Sequence, residues 1–148
     1  MKQEPLLRTL EKFKSRLQKA GMKATAQRMA VHEAMIELGH ASADMVSLWL
    51  EENSTTRITV ASVYNILNQL AELGIYSYRM SANNKMYFDV NTKGHMHVYD
   101  CENHTFRDIM DERLYEDILQ RIGNRRFRGY KIEGVDIQFV VRPTRRRP

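Results

Sequence analysis

The chain has 148 residues, 43% of them hydrophobic and 28% charged, which suits one domain or two small ones and excludes wholesale disorder. Lys plus Arg number 23 against 18 Asp plus Glu, a net charge of +5 that favours an anionic partner. One cysteine, Cys101, excludes an internal disulfide framework; with no apolar run of about 20 residues and no apolar signal core, a cytoplasmic protein away from membranes is expected.

The charge is uneven. Residues 1–28 carry eight basic side chains against Glu4 and Glu11, whereas residues 100–117 carry seven acids against Arg107 and Arg113. A polyanion would therefore meet the N-terminal half. The same pattern also describes an ordinary solvated surface.

Leu6, Leu10, Phe13 and Leu17 recur at helical spacing, so residues 4–20 read as an amphipathic helix. Thr25 caps a second helix, 26–38, stopped by Gly39, with Met29, Ala30, Met35 and Leu38 as its buried side. Ser42 caps a third, 43–52, burying Met45, Val46 and Trp49. Thr59 caps a fourth, 60–73, with Val60, Val63, Leu67, Leu70 and Leu73 inward. Two extended runs, 75–80 and 85–90, joined at Ser81–Asn84, read as a hairpin. Helices followed by a hairpin give the order of a winged helix-turn-helix.

Beyond residue 91, strands are expected at 95–100 and 104–109 and a helix at 110–124 with Leu114, Ile118, Leu119 and Ile122 inward. A last strand is expected at 130–141, bulged at Gly134. Such a small unit buries little core, and an apolar edge strand invites pairing with a second copy. The fold class is α+β: a winged helix domain over 1–90, a small α/β dimerisation domain over 91–141, and a basic disordered tail over 142–148.

On the fourth helix, Ala61, Asn65, Asn68 and Glu72 lie opposite the core stripe, flanked by Ser62, Tyr64 and Gln69. Amides there can bond adenine in the major groove, and hydroxyls can bond phosphates. His95 and His97, at strand spacing, share a face and can supply two metal ligands; Asp89, Asp108 and His40 are the candidates to complete the shell. Nitrogen and oxygen donors without thiolate suit Fe(II), Mn(II) or Zn(II). A His-X-His pair is equally compatible with plain surface histidines, and spacing alone does not bring His40 to the others. Cys101 reads as an ordinary thiol.

Lys23-Ala24-Thr25-Ala26-Gln27-Arg28, Gly39-His40-Ala41-Ser42-Ala43-Asp44, Thr59-Val60-Ala61-Ser62-Val63-Tyr64-Asn65, Tyr87-Phe88-Asp89 and His95-Met96-His97 resemble, in order, segments of the ferric uptake regulator (Fur) family. The resemblance runs from about 15 to 141 and is strongest to the peroxide-sensing branch. It implies a dimeric, metal-dependent repressor, not an enzyme, that binds A·T-rich palindromic double-stranded DNA. It implies Fe(II) or Mn(II) at His40, Asp89, His95, His97 and Asp108, with Zn(II) able to bind in vitro. It places DNA contacts at Lys23, Thr25, Gln27, Arg28, Ala61, Ser62, Tyr64, Asn65 and Asn68. The family's Cys-x-x-Cys zinc pair is replaced by Asp100 and Asn103, so a four-cysteine structural zinc is excluded. Gly94 and Met96 stand where an additional metal site would lie, so one ion per chain is expected. The alternatives are an iron-responsive or haem-responsive regulator and a metal-independent one.

Overall fold

A computed structural model of the chain describes residues 9–123, 125 and 127–145. It divides into two compact units between Thr92 and Lys93.

The first unit starts with α1 (Leu10–Lys19), capped by Thr9, whose hydroxyl accepts from the Lys12 N–H. The part of the expected first helix before Thr9 lies outside the described residues. The helices α2 (Ala26–Leu38), α3 (Ala43–Asn53) and α4 (Val60–Glu72) carry the expected caps, Thr25, Ser42 and Thr59, each accepting the N–H three residues on. Gly39 ends α2 at φ +74°, a left-handed conformation that costs glycine little.

Phe13 and Leu17 pack into a core with Val31 and Met35 of α2, Val46 and Leu50 of α3, and Val63, Leu67 and Leu70 of α4. Fully burying each such side chain contributes roughly 1.5–3 kcal/mol. Met45 and Trp49 are half-buried instead of central, because Val46, Ser47 and Leu50 form the inner face of α3. Val60 and Leu73, at the two ends of the α4 stripe, are exposed. His32 is fully buried: its ring stacks on Phe13 at 3.9 Å and Nδ1 lies 2.5 Å from the Tyr76 hydroxyl.

A strand not expected from the sequence, β1 (His40–Ala41), joins the hairpin of β2 (Ser77–Met80) and β3 (Met86–Asp89) in an antiparallel sheet of order β1-β3-β2. The register sets both His40 and Ser77 opposite Asp89.

In the second unit, β4 (Met96–Asp100) pairs antiparallel with β5 (Thr105–Ile109) and parallel with β6 (Gln138–Val141). The expected strand from 130 shrinks to these four residues, because β4 offers a short edge, and Gly134 makes no bulge. The helix α5 (Glu112–Gly123) buries none of its residues; Leu114 and Leu119, expected inward, are exposed in the single chain. Residues 142–145 have no regular structure, and 146–148 lie outside the described residues. Among the described residues no helix is long and apolar enough to cross a membrane.

Candidate functional site

The second unit holds two imidazoles aimed at one oxygen. His97 and Asp108 face each other across the β4–β5 ladder. His97 Nε2 lies 3.2 Å from Asp108 Oδ1, and His95 Nε2 lies 2.9 Å from the same atom. His97 is fully buried, its ring held edge-on to Phe106 at 5.8 Å. On the far side of the His95 ring, Nδ1 contacts the backbone carbonyl oxygen of Lys93. A carbonyl oxygen only accepts, so Nδ1 carries the proton and Nε2 of the neutral ring presents its lone pair. Facing Asp108 Oδ1 at 2.9 Å, that nitrogen must share a positive charge with the carboxylate, supplied either by a second ring proton or by a metal ion.

The winged unit holds a second pair of the same type. His40 Nε2 lies 3.1 Å from Asp89 Oδ2, and both side chains are nearly buried. The other Asp89 oxygen, Oδ1, accepts the Asn91 N–H at 2.8 Å, which fixes the carboxylate plane. Arg79 also approaches, its Nη2 lying 3.8 Å from Asp89 Oδ2.

The donor set in each unit fits a metal ion. Ligands about 2.1 Å from an ion and about 90° apart stand about 3.0 Å from each other, against about 3.4 Å at the tetrahedral angle. The nitrogen–oxygen separations of 2.9, 3.1 and 3.2 Å fall in or next to this range.

The expected DNA-facing residues lie on the winged unit. Ala61, Tyr64 and Asn65 are exposed on α4, and Asn68 is half-buried. The Ser62 hydroxyl is turned toward the cap, accepting from Thr59 Oγ1 at 2.9 Å. Lys23, Thr25 and Gln27 are exposed at the start of α2. Arg28 bridges the two elements: Nη1 donates to the Lys23 carbonyl at 2.8 Å and Nη2 to Gln69 Oε1 at 3.3 Å. Gln27 Nε2 reaches the Arg57 carbonyl at 3.5 Å. Arg28 is thus a brace between α2 and α4, a role that spacing did not reveal. Arg79 was missed as well, because its place beside Asp89 depends on the pairing of β2 with β3.

The family model described as the ferric uptake regulator family matches residues 19–140. The chain belongs to the ferric uptake regulator family. It is 33% identical over 116 residues to the ferric uptake regulation protein of Haemophilus ducreyi, covering 72% of this chain and 76% of that protein. It is also 33% identical over 94 residues to the peroxide-responsive repressor PerR of Staphylococcus epidermidis; that match covers 63% of this chain and 61% of the PerR chain. Its fold is similar to that of the Vibrio cholerae ferric uptake regulator, with a TM-score of 0.74 at 20% identity over 88% of this chain and 99% of that one. A place among Fur regulators agrees with the α+β winged fold and with the expectation that the chain is not an enzyme.

In this Fur-family chain the Cys-x-x-Cys positions form a hydrogen-bonded turn instead. Asp100 Oδ1 accepts the backbone N–H groups of Glu102 and Asn103, and Oδ2 accepts Asn103 Nδ2. Cys101, the lone thiol, is half-buried in the same turn, and its N–H donates to the Val141 carbonyl.

Proposed function

We propose that the chain is a metal-dependent, DNA-binding transcriptional repressor that acts as a cytoplasmic homodimer with Fe(II) or Mn(II) as its regulatory ion. The observation that carries the metal reading is the convergence of His95 and His97 Nε2 on Asp108 Oδ1. In this reading His40 and Asp89 complete the shell, so residues of both units serve one ion. When bound, the ion supplies a divalent positive charge that the five ligands share. Metal then favours the DNA-competent arrangement, and DNA must in turn tighten metal binding. Three imidazoles and two carboxylates without a thiolate suit Fe(II) or Mn(II), while Zn(II) is an ion the same donors accept in vitro.

Residues 1–90 would read DNA. Lys23, Thr25, Gln27 and Arg28 position the backbone, and Ala61, Ser62, Tyr64, Asn65 and Asn68 face the groove. The amides suit adenine, and a two-fold dimer suits a palindrome, hence an A·T-rich palindromic operator. Residues 91–141 would dimerise: α5 buries nothing in the single chain, and Phe139 and Val140 are exposed on the edge strand β6. Residues 142–148 add a basic tail.

The test is a paired titration. His97→Ala should weaken Mn(II) binding at least tenfold and operator binding with it. Metal-independent operator binding that survives in the variant would reject the repressor's metal switch. A peroxide response is favoured by Asp at 89 and 108, where the iron-sensing branch more often carries Glu, and by the likeness to PerR. It predicts that hydrogen peroxide releases the operator from Fe(II)-loaded but not from Mn(II)-loaded protein.

A further inference from the structure

The winged unit carries a cation of its own beside Asp89. Arg79 lies on β2, two residues beyond Ser77, the register partner of Asp89, and so on the same face of the sheet. Its side chain is only 9% exposed and that of Asp89 only 3%. Its Nη2 stands 3.8 Å from Asp89 Oδ2, the oxygen that also faces His40 Nε2 at 3.1 Å. The guanidinium is braced from below: Nη2 donates to Ser77 Oγ at 3.5 Å, and Ser77 Oγ donates to the Asn91 carbonyl at 3.2 Å. Asn91 in turn donates its N–H to Asp89 Oδ1. The carboxylate is therefore held by backbone on one oxygen and approached by a fixed positive charge at the other.

We propose that Arg79 is a positioning residue that acts as a resident counter-charge for Asp89, stabilising the metal-free winged unit and setting metal affinity low enough for the ion to leave. This rests on the reading of Asp89 as a metal ligand. Two effects point the same way. A guanidinium is always charged, so it repels a divalent ion arriving at the carboxylate it already faces. Without it, a buried carboxylate would lose a cationic neighbour in the metal-free state, and such a loss is costly at low exposure. Both effects make metal binding weaker with Arg79 than without it. Asp89 keeps its aim either way, because the Asn91 N–H and the β3 register hold it. A residue serving only to hold the wing together would act in the opposite direction, since its loss would loosen the ligand and weaken the metal.

The experiment measures Mn(II) affinity and thermal melting, with and without Mn(II), for the full chain and for Arg79→Met, Arg79→Gln, Arg79→Lys and Asp89→Asn. Both neutral variants should bind Mn(II) at least tenfold more tightly. Their metal-free melting temperatures should fall below that of the parent chain, and Mn(II) should restore most of the loss. Arg79→Lys should stay within about threefold of the parent, because charge and not shape is what matters. Equal or weaker Mn(II) binding in the neutral variants overturns the proposal; if Arg79→Met does not fold, Arg79→Gln decides. Asp89→Asn separates the two levels. If it leaves Mn(II) affinity unchanged, Asp89 is no ligand, and the reading of Asp89 on which this proposal rests fails while the His95–His97–Asp108 group stands. If it weakens Mn(II) binding while neither neutral Arg79 variant tightens it, only the counter-charge role fails.

Discussion

Asp100 and Asn103 hold each other twice: Oδ1 of the aspartate accepts the asparagine backbone N–H at 3.0 Å, and Oδ2 accepts its side-chain Nδ2 at 2.8 Å. These bonds close the β4–β5 connection at the positions where the family resemblance expects two zinc-binding cysteines. They also hold the Asp100 carboxyl below its ordinary range, the Asn103 backbone bond being the largest cause. A depressed folded value means stability that is present above the unfolded value and lost as pH falls through the folded one. Asp100→Ala should therefore melt lower than the parent chain at pH 7, and the gap should narrow below about pH 4. Thermal melts across pH check this, and a gap that widened on acidification would contradict it.

Burial pushes the Tyr76 hydroxyl well above its ordinary value, while the phenol lies against His32 Nδ1 in the winged core. Here the sign is reversed. The folded protein resists losing this proton, so the stability is complete below about pH 10 and drains away as pH climbs toward the raised value. Tyr76→Phe should cost about 1–3 kcal/mol near neutrality, because His32 loses a buried partner. It should also flatten the decline of stability between about pH 9 and 11. Urea unfolding at a series of alkaline pH values reads both effects.

The two DNA-facing groups should fail differently. Asn65→Ala should cost about 1–3 kcal/mol of operator affinity and relax the preference at the base pair it meets. Lys23→Ala should weaken all sequences about equally and lower the salt slope by about one. Arg28→Ala, which removes the brace between α2 and α4, should lower stability by about 1 kcal/mol as well as weakening binding. Fluorescence anisotropy over a salt series, paired with urea melts, separates the three. Equal salt slopes for Lys23→Ala and the parent chain would remove Lys23 from the interface.

A Cβ added at Gly94 would collide with the ring and hydroxyl of Tyr115 on α5. Gly94→Ala should therefore cost roughly 1–3 kcal/mol, and Tyr115→Ala in the same chain should recover part of it. The crowding also bears on stoichiometry, since a ligand side chain at 94 would need Tyr115 to move, and Met96 is buried. Elemental analysis of the loaded protein should find one regulatory ion per chain. Two tightly held ions would contradict this.

Local signals carried most of the winged unit. Thr25, Ser42 and Thr59 cap where expected because capping depends on a residue and the three that follow it. Strand spacing suggests one face for His95 and His97, although β4 begins only at Met96 and His95 stands just before it. The two-residue strand β1 was not legible, being too short to show any alternation. The pairing of His40 with Asp89 depends on sheet register between distant segments, which no local pattern encodes. Arg79 was hidden for the same reason. The inward face expected for α5 misleads in another way: periodicity reports which face is apolar, not whether the same chain covers it.

The brevity of β1 leaves its histidine no slack. Gly39 reverses the chain immediately before it, and Ser42 opens α3 immediately after Ala41. Adding or deleting a single residue in this connection would turn the imidazole to the opposite side of the sheet, away from Asp89. Homologous chains that keep the His40–Asp89 partnership should therefore tolerate changes of residue type between α2 and α3 far more readily than changes of length.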